Sequence, residues 1–265
     1  MQVKSPEKVI VKVGSGIVAT DSGRIKRTHI RQIAHSVCGL RERGHTVHVV
    51  SSGAIACGKY QLSHNKHSTL NPSSFPNQQA LAAIGQSYLI SEYSRAFARY
   101  SPRNTPVAQI LLTHLNFKTN PEKENIANTF GVIEKLGAVA LINENDVVAT
   151  EELRTDNDYL ALLIGRLIGA DRLVMISNSG GLRDQHGDVV PVVSFEDHDR
   201  FKYFIDDNIS SNGRGGMESK YEVACLAAEE GIHVNIIGET DIERLENVFS
   251  EEFIGTHFEP RIATT

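Results

Sequence analysis

The chain has 265 residues, 40% of them hydrophobic and 22% charged, enough to bury the core of one large α/β domain spanning residues 1–265. A net charge of −5 and a pI near 6.1 exclude global attraction to nucleic acid or to an anionic membrane, which leaves a small molecule as the expected partner. The three cysteines, Cys38, Cys57 and Cys225, are scattered in apolar settings. They predict buried free thiols in a reducing cytoplasm, with neither a disulfide framework nor a metal cluster.

Val9-Ile10-Val11-Lys12-Val13 predicts a buried strand interrupted by one lysine and ending in Gly14-Ser15-Gly16, where backbone N–H groups and Lys12 can meet an anion. Helical spacing of Ile30, Ile33, Ala34, Val37 and Leu40 predicts a helix from Thr28, as its cap, to Arg43. The strand Val47–Val50 completes a βαβ unit and a parallel sheet. It runs into Ser51-Ser52-Gly53-Ala54-Ile55, whose small groups suit a carboxylate or phosphate. Gly53 to Lys59 has the glycine and lysine spacing of a phosphate-binding loop, but Tyr60 stands where the magnesium-binding hydroxyl belongs, so that reading is set aside.

Residues 62–77 read as a long exposed loop, in which His64 and His67 lack acidic or cysteine partners for a metal. Helices follow over 78–99, with Leu81, Ile84, Tyr88 and Phe97 inward, and over 121–136, with a strand at 107–112 between them. The strand Ala138–Ile142 opens the polar stretch Asn143-Glu144-Asn145-Asp146, followed a short way on by Asp156-Asn157-Asp158 at a helix start. The two clusters hold three amides and four carboxylates, more than one turn and one cap require. Polar residues at the end of a buried strand lie where open α/β sheets bind ligands. A strand at 173–176 ends in Ser177-Asn178-Ser179-Gly180-Gly181, residues 184–204 suggest a hairpin, and the glycine run ending in Gly215-Gly216-Met217 opens a helix with Lys220 in its first turn. A final strand is predicted at 233–237.

These motifs, in this order from Val9 to Phe258, resemble the amino acid kinase family, and within it the branch that phosphorylates the γ-carboxylate of L-glutamate in proline synthesis. The resemblance implies a three-layer αβα sandwich around a mainly parallel sheet, ATP and magnesium as cosubstrates, and a homodimer or homotetramer. By position, Ser52, Gly53, Ala54, Asp146 and Asn157 would hold the amino acid, with Asp146 on its ammonium and Ser52 or Asn157 donating to its α-carboxylate. Lys12 and Lys220 would sit on the transferring phosphoryl group, Asp158 would hold the two lysines, and Gly14, Ser177, Asn178, Gly215, Gly216 and Met217 would join them around the nucleotide. The physical chemistry agrees, because phosphoryl transfer to a carboxylate brings anions together and needs cations and N–H donors, not a protein nucleophile.

The chain departs from the family pattern at Asn178, where an aspartate is usual, at Arg214, where a small hydroxyl residue is common, and in Asn125–Thr129, which lacks the usual arginine and aspartate. A sister kinase for another small acid and a catalytically silent ligand-binding regulator are the alternative expectations.

Overall fold

The computed structural model describes residues 5–63, 74–101, 104–150, 156–198, 201, 216–250 and 254–261. Its centre is one eight-stranded sheet built from β1 (Lys8–Val13), β2 (Thr46–Ser51), β3 (Val107–Leu112), β4 (Val139–Glu144), β5 (Arg172–Ile176), β6 (Val192–Val193), β7 (His233–Ile237) and β8 (Thr256–Phe258). The order across the sheet is β3-β4-β2-β1-β5-β7-β8-β6, and every pairing is parallel except β7 with β8. The principal helices are α1 (Ser15–Val18), α2 (Arg27–Glu42), α3 (Ala54–Ser63), α4 (Phe75–Tyr100), α5 (Asn120–Lys135), α6 (Asn157–Ile168) and α7 (Met217–Glu229).

Strand alternation decides what each helix layer meets. On β1, Val9, Val11 and Val13 join the core shared with α2 and α4, whereas Ile10 joins the core shared with α5, α6 and α7. Lys12 has the parity of Ile10, which turns its side chain toward the α6 and α7 layer. On β2, Ser51 has the parity of Val47 and Val49 and accordingly meets Tyr93 of α4, while Ser52, just beyond the strand, meets α6. The result is the three-layer αβα sandwich expected, with continuous apolar strands buried on both faces.

Several local expectations give way. Helix α2 starts at Arg27 with Lys26 at the N-cap and no side-chain capping bond, so Thr28 is already inside the helix. Residues 62–63 and 75–77 are helical rather than loop, and His64 and His67 lie outside the described residues. Ile84 is 39% exposed because Leu81, Gly85 and Leu89 form the inward stripe of α4. Cys38 and Cys57 are buried free thiols, but Cys225 is only half-buried. The hairpin expected over 184–204 reduces to a single antiparallel bridge between Arg183 and Val189, and the next strand pairs in parallel with β8. Among the described residues, no helix is long and apolar enough to cross a membrane.

Candidate active site

Strands β1, β2, β4 and β5 run in parallel and end together. Val13 is in register with both Ser51 and Ile176, and Leu111 of β3 with Asn143. The polar clusters seen in the sequence therefore gather at one edge of the sheet, beyond its carboxyl ends.

At its centre are three buried charges. Lys12 Nζ lies 2.6 Å from Asp158 Oδ1, and Lys220 Nζ lies 3.1 Å from Asp158 Oδ2. Asp158 is fully buried, and the two lysines are 3% and 6% exposed. Each element contributes for a local reason. Asp158 falls in the first turn of α6, where a carboxylate is favoured by the unpaired N–H groups and helix dipole. Lys220 falls in the first turn of α7, an unfavourable end for a cation, and is held there by Asp158 and by the Gly216 carbonyl at 3.4 Å. Asp156 is the N-cap of α6, accepting from the Asp158 N–H at 3.2 Å and from the Ser219 hydroxyl at 2.8 Å. Burial alone pushes the Asp156 carboxyl up, but Lys12, the Ser219 hydroxyl, the Asp158 amide and Lys220 outweigh it and hold it below the ordinary carboxylate range. Two carboxylates thus keep two desolvated ammonium groups in place. Buried pairs of this kind seldom add stability over apolar packing, so their presence points to chemistry.

Next to this cluster, the amide network fixes the polarity of Asn157. The Glu144 N–H donates to Asn143 Oδ1 at 2.8 Å, which identifies that atom as the oxygen. Asn143 Nδ2 then donates to Gln86 Oε1 at 2.9 Å. Since Asn143 Oδ1 is an acceptor, the Asn157 atom 3.0 Å from it is Nδ2, and the same nitrogen donates to Ser52 Oγ at 2.9 Å. Both N–H groups of Asn157 are spent. What remains is Oδ1, buried and without a partner among the described residues. In this arrangement Asn157 presents an acceptor, of the kind an ammonium takes. In the Ser52–Ala54 turn Gly53 adopts φ +105° with Val18 Cγ1 only 3.2 Å from any added Cβ, and α3 begins at Ala54. Asp146 stands half-buried in the turn after β4.

Of the residues assigned to a nucleotide, Gly14, Ser177 and Asn178 lie just beyond the paired ends of β1 and β5. Gly14 donates its N–H to the Ile176 carbonyl at 3.3 Å, so it serves the sheet end and does not offer that N–H to a phosphate. Asn178 lies against Gly16, where an added Cβ would come within 2.6 Å of its amide nitrogen. Ser177 Oγ is 3.2 Å from Ser179 Oγ, and the Ser177 N–H is bonded to the Ile237 carbonyl. Gly216 is the N-cap of α7 and Met217 its first residue, while Arg214 and Gly215 lie outside the described residues. Gly58, in the segment that mimicked a phosphate loop, packs its backbone against the Leu81 carbonyl inside a helix pair. Sequence reasoning gave no role to Asn143, Gln86 or Ser219, and to Asp156 only that of a cap for α6. Asn143 lay in the quoted cluster, Gln86 at the end of the run Ala82–Gln86 that contributes to the family resemblance, and Ser219 in the run that leads to Lys220.

Comparison with known proteins gives the family and the fold. The amino acid kinase family matches residues 7–238. Glutamate 5-kinase of Aquifex aeolicus is 36% identical over 257 residues, covering 96% of this chain and 69% of its own length. The glutamate 5-kinase of Thermotoga maritima is 34% identical with the same coverage. Carbamate kinase from Giardia lamblia bound to AMP-PNP has a TM-score of 0.68 at 14% identity, covering 97% of this chain and 99% of that one. N-acetylglutamate synthase from Neisseria gonorrhoeae has a TM-score of 0.67 at 12% identity, covering 97% of this chain and 60% of that one. The two solved structures share the fold.

Proposed function

This chain belongs to the amino acid kinase family, and within that family we propose that it transfers the γ-phosphoryl group of ATP to the side-chain carboxylate of L-glutamate, with the whole chain acting as one kinase domain. The observation that carries the reading is the pair of buried lysines on one carboxylate, Lys12 at 2.6 Å and Lys220 at 3.1 Å from Asp158, next to Asn157, which is hydrogen-bonded to Ser52. The relatives named glutamate 5-kinase at 34–36% identity support the choice of acceptor.

In the reaction one glutamate γ-carboxylate oxygen bonds to the γ-phosphorus, the bond from that phosphorus to the β,γ-bridging oxygen breaks, and ADP leaves with the electron pair. The attacking carboxylate is already ionised at neutral pH, so no general base is needed. The protein's task is to cancel charge as two anions approach and as negative charge moves onto the bridging oxygen. Two ammonium groups, fixed and desolvated before substrate arrives, suit that task. On the acceptor side, Asp146 and the Asn157 oxygen take the substrate ammonium, and the Ser52–Ala54 turn takes the α-carboxylate.

Magnesium belongs to the reading through the nucleotide. Among the described residues no group of three or more His, Cys, Asp or Glu side chains could hold a metal, and Asp158 is already committed to both lysines. A magnesium ion of this kind is bound largely by phosphates and water. The family resemblance also carries self-association as a dimer or tetramer, which sedimentation of the purified chain reads directly, and residence in the cytoplasm.

Hydroxylamine trapping tests the reading. With ATP and magnesium, glutamate should yield the γ-hydroxamate while glutarate and N-acetylglutamate, lacking a free ammonium, yield far less. A better yield from either analogue would pass the assignment to a sister kinase, and no ATP turnover with any acid would leave a silent binding protein.

A further inference from the structure

Asp146 is placed by a turn with little apolar packing of its own. Val147 and Val148 are 55% and 61% exposed, and only Ala149 is buried. The turn's backbone bonds run from Val148 N–H and Ala149 N–H to the Asn145 carbonyl, and from Asn145 N–H to Leu112. Three of its carbonyls point instead at one side chain. Gln79 Nε2 lies 3.1 Å from the Asp146 oxygen, 3.1 Å from the Val147 oxygen and 3.0 Å from the Ala149 oxygen. The reverse orientation of the Gln79 amide would set an oxygen against three oxygens, so the assignment as donor is forced.

Gln79 lies two helical turns before Gln86 on α4, on the same face, since seven residues bring the helix back by nearly two full turns. Gln86 holds Asn143 at 2.9 Å, and Gln79 holds the turn that carries Asp146. One face of α4 thus grips both ends of the segment from Asn143 to Ala149. The helix itself is locked to the other half of the acceptor crevice, because Gly85 lets its backbone approach the Ala54 carbonyl so closely that an added Cβ would come within 1.8 Å of it.

We infer that Gln79 is a positioning residue for acceptor binding: its two side-chain N–H groups, shared among the carbonyls of Asp146, Val147 and Ala149, set the position of the Asp146 carboxylate and thereby the affinity for the amino acid's ammonium. The inference rests on the proposed glutamate kinase reading and adds a residue that touches neither the substrate nor the reacting atoms. It requires a donor at residue 79, and that requirement separates it from simple helix packing. Gln79→Glu keeps the size and removes every donor. Gln79→Lys keeps an apolar stem of sufficient length and supplies N–H donors again, three where the amide had two. Gln79→Met removes donors without adding charge, and it serves where the glutamate variant fails to accumulate.

The test is steady-state kinetics with glutamate and ATP varied in turn. Gln79→Glu and Gln79→Met should raise the Michaelis constant for glutamate about tenfold or more, with kcat and the Michaelis constant for ATP within about threefold of wild type, and Gln79→Lys should recover most of the loss. An unchanged glutamate constant in Gln79→Met, equal losses for both substrates, or a lysine variant no better than the methionine one would overturn the inference. Absence of glutamate phosphorylation in the wild-type protein would instead sink the kinase reading beneath it, so the two failures are told apart by the wild-type control.

Discussion

Lys12 Nζ and Asp158 Oδ1 stand 2.6 Å apart with 3% and 0% of their side chains exposed, joining the end of β1 to the first turn of α6. Lys220 completes the bridge from α7. Because Asp158 has no water to compensate a lost partner, it acts as a template for the spacing of the two ammonium groups. Asp158→Asn keeps the shape but removes the charge that holds them. Turnover should fall on the order of 100-fold, and Lys220→Ala should fall by at least as much, while glutamate affinity changes far less. Single-turnover phosphorylation measures this, and a rate within about threefold of wild type for either variant would remove that residue from the chemistry.

On the proposed reading, Asp146 governs choice of acceptor rather than rate. Loss of one member of a buried charge pair costs on the order of 3–5 kcal/mol, and half-burial of Asp146 brings the figure down. Asp146→Ala should raise the Michaelis constant for glutamate by about tenfold or more and leave that for ATP unchanged. It should also narrow the preference for glutamate over glutarate. A variant that discriminates between those two acids as well as the wild type does would place the ammonium elsewhere.

His48 gives the fold a pH dependence away from the active site. It is fully buried on β2, accepts the Ala140 N–H at Nδ1 at 3.1 Å, and faces Glu134 through Nε2 at 3.4 Å. Burial pushes its imidazole down to about 4, against the opposing pull of Glu134. With the folded value below the unfolded value of 6.5, the unfolded chain binds the proton first, so stability is full above about 6.5 and falls as pH drops toward 4. His48→Asn can place an oxygen where Nδ1 accepts, yet cannot titrate. Urea unfolding of the two proteins should show wild type losing on the order of 2–3 kcal/mol more than the variant between pH 7 and 4. Parallel pH profiles would mean that His48 is not the group responsible.

Gly85 and Gly58 let α3 and α4 touch backbone to backbone. An added Cβ at Gly85 would lie 1.8 Å from the Ala54 oxygen, and one at Gly58 would lie 1.9 Å from the Leu81 oxygen. Gly85→Ala must spread the two helices, at a cost of about 1–3 kcal/mol by analogy with overpacked cores. Since α3 begins at Ala54, the spread should also shift the Gly53–Ala54 turn. Thermal unfolding and the glutamate Michaelis constant should worsen together, and a variant with unaltered melting would show that the helix pair has slack.

What the sequence determined by itself was local. The β-branched apolar runs of β1, β2, β5 and β7, the helical stripe of α2, and the capping carboxylate of Asp156 act within a few residues, so their signal is written in consecutive letters. The polar clusters at strand ends, and the order in which they occur, were sufficient to point to the family. Strand β8 escaped notice because three residues, Thr256-His257-Phe258, hold too short a period to read, and its identity comes from pairing with β7 and β6.

The tertiary structure alone decided how those residues act on one another. Asn157 was legible as a site residue, but its donor or acceptor character depends on the Glu144 N–H orienting Asn143. Lys12 had a visible parity on its strand, yet only the sheet order put α6 and α7 on the face it points to. Gln79 looked like an ordinary polar position on a long helix, and Gln86 belonged to a family-like run with no role attached to it. Their partners lie 57 to 70 residues along the chain, and no period within a helix reports a hydrogen bond to a turn that distant in sequence, because only packing brings donor and acceptor within reach.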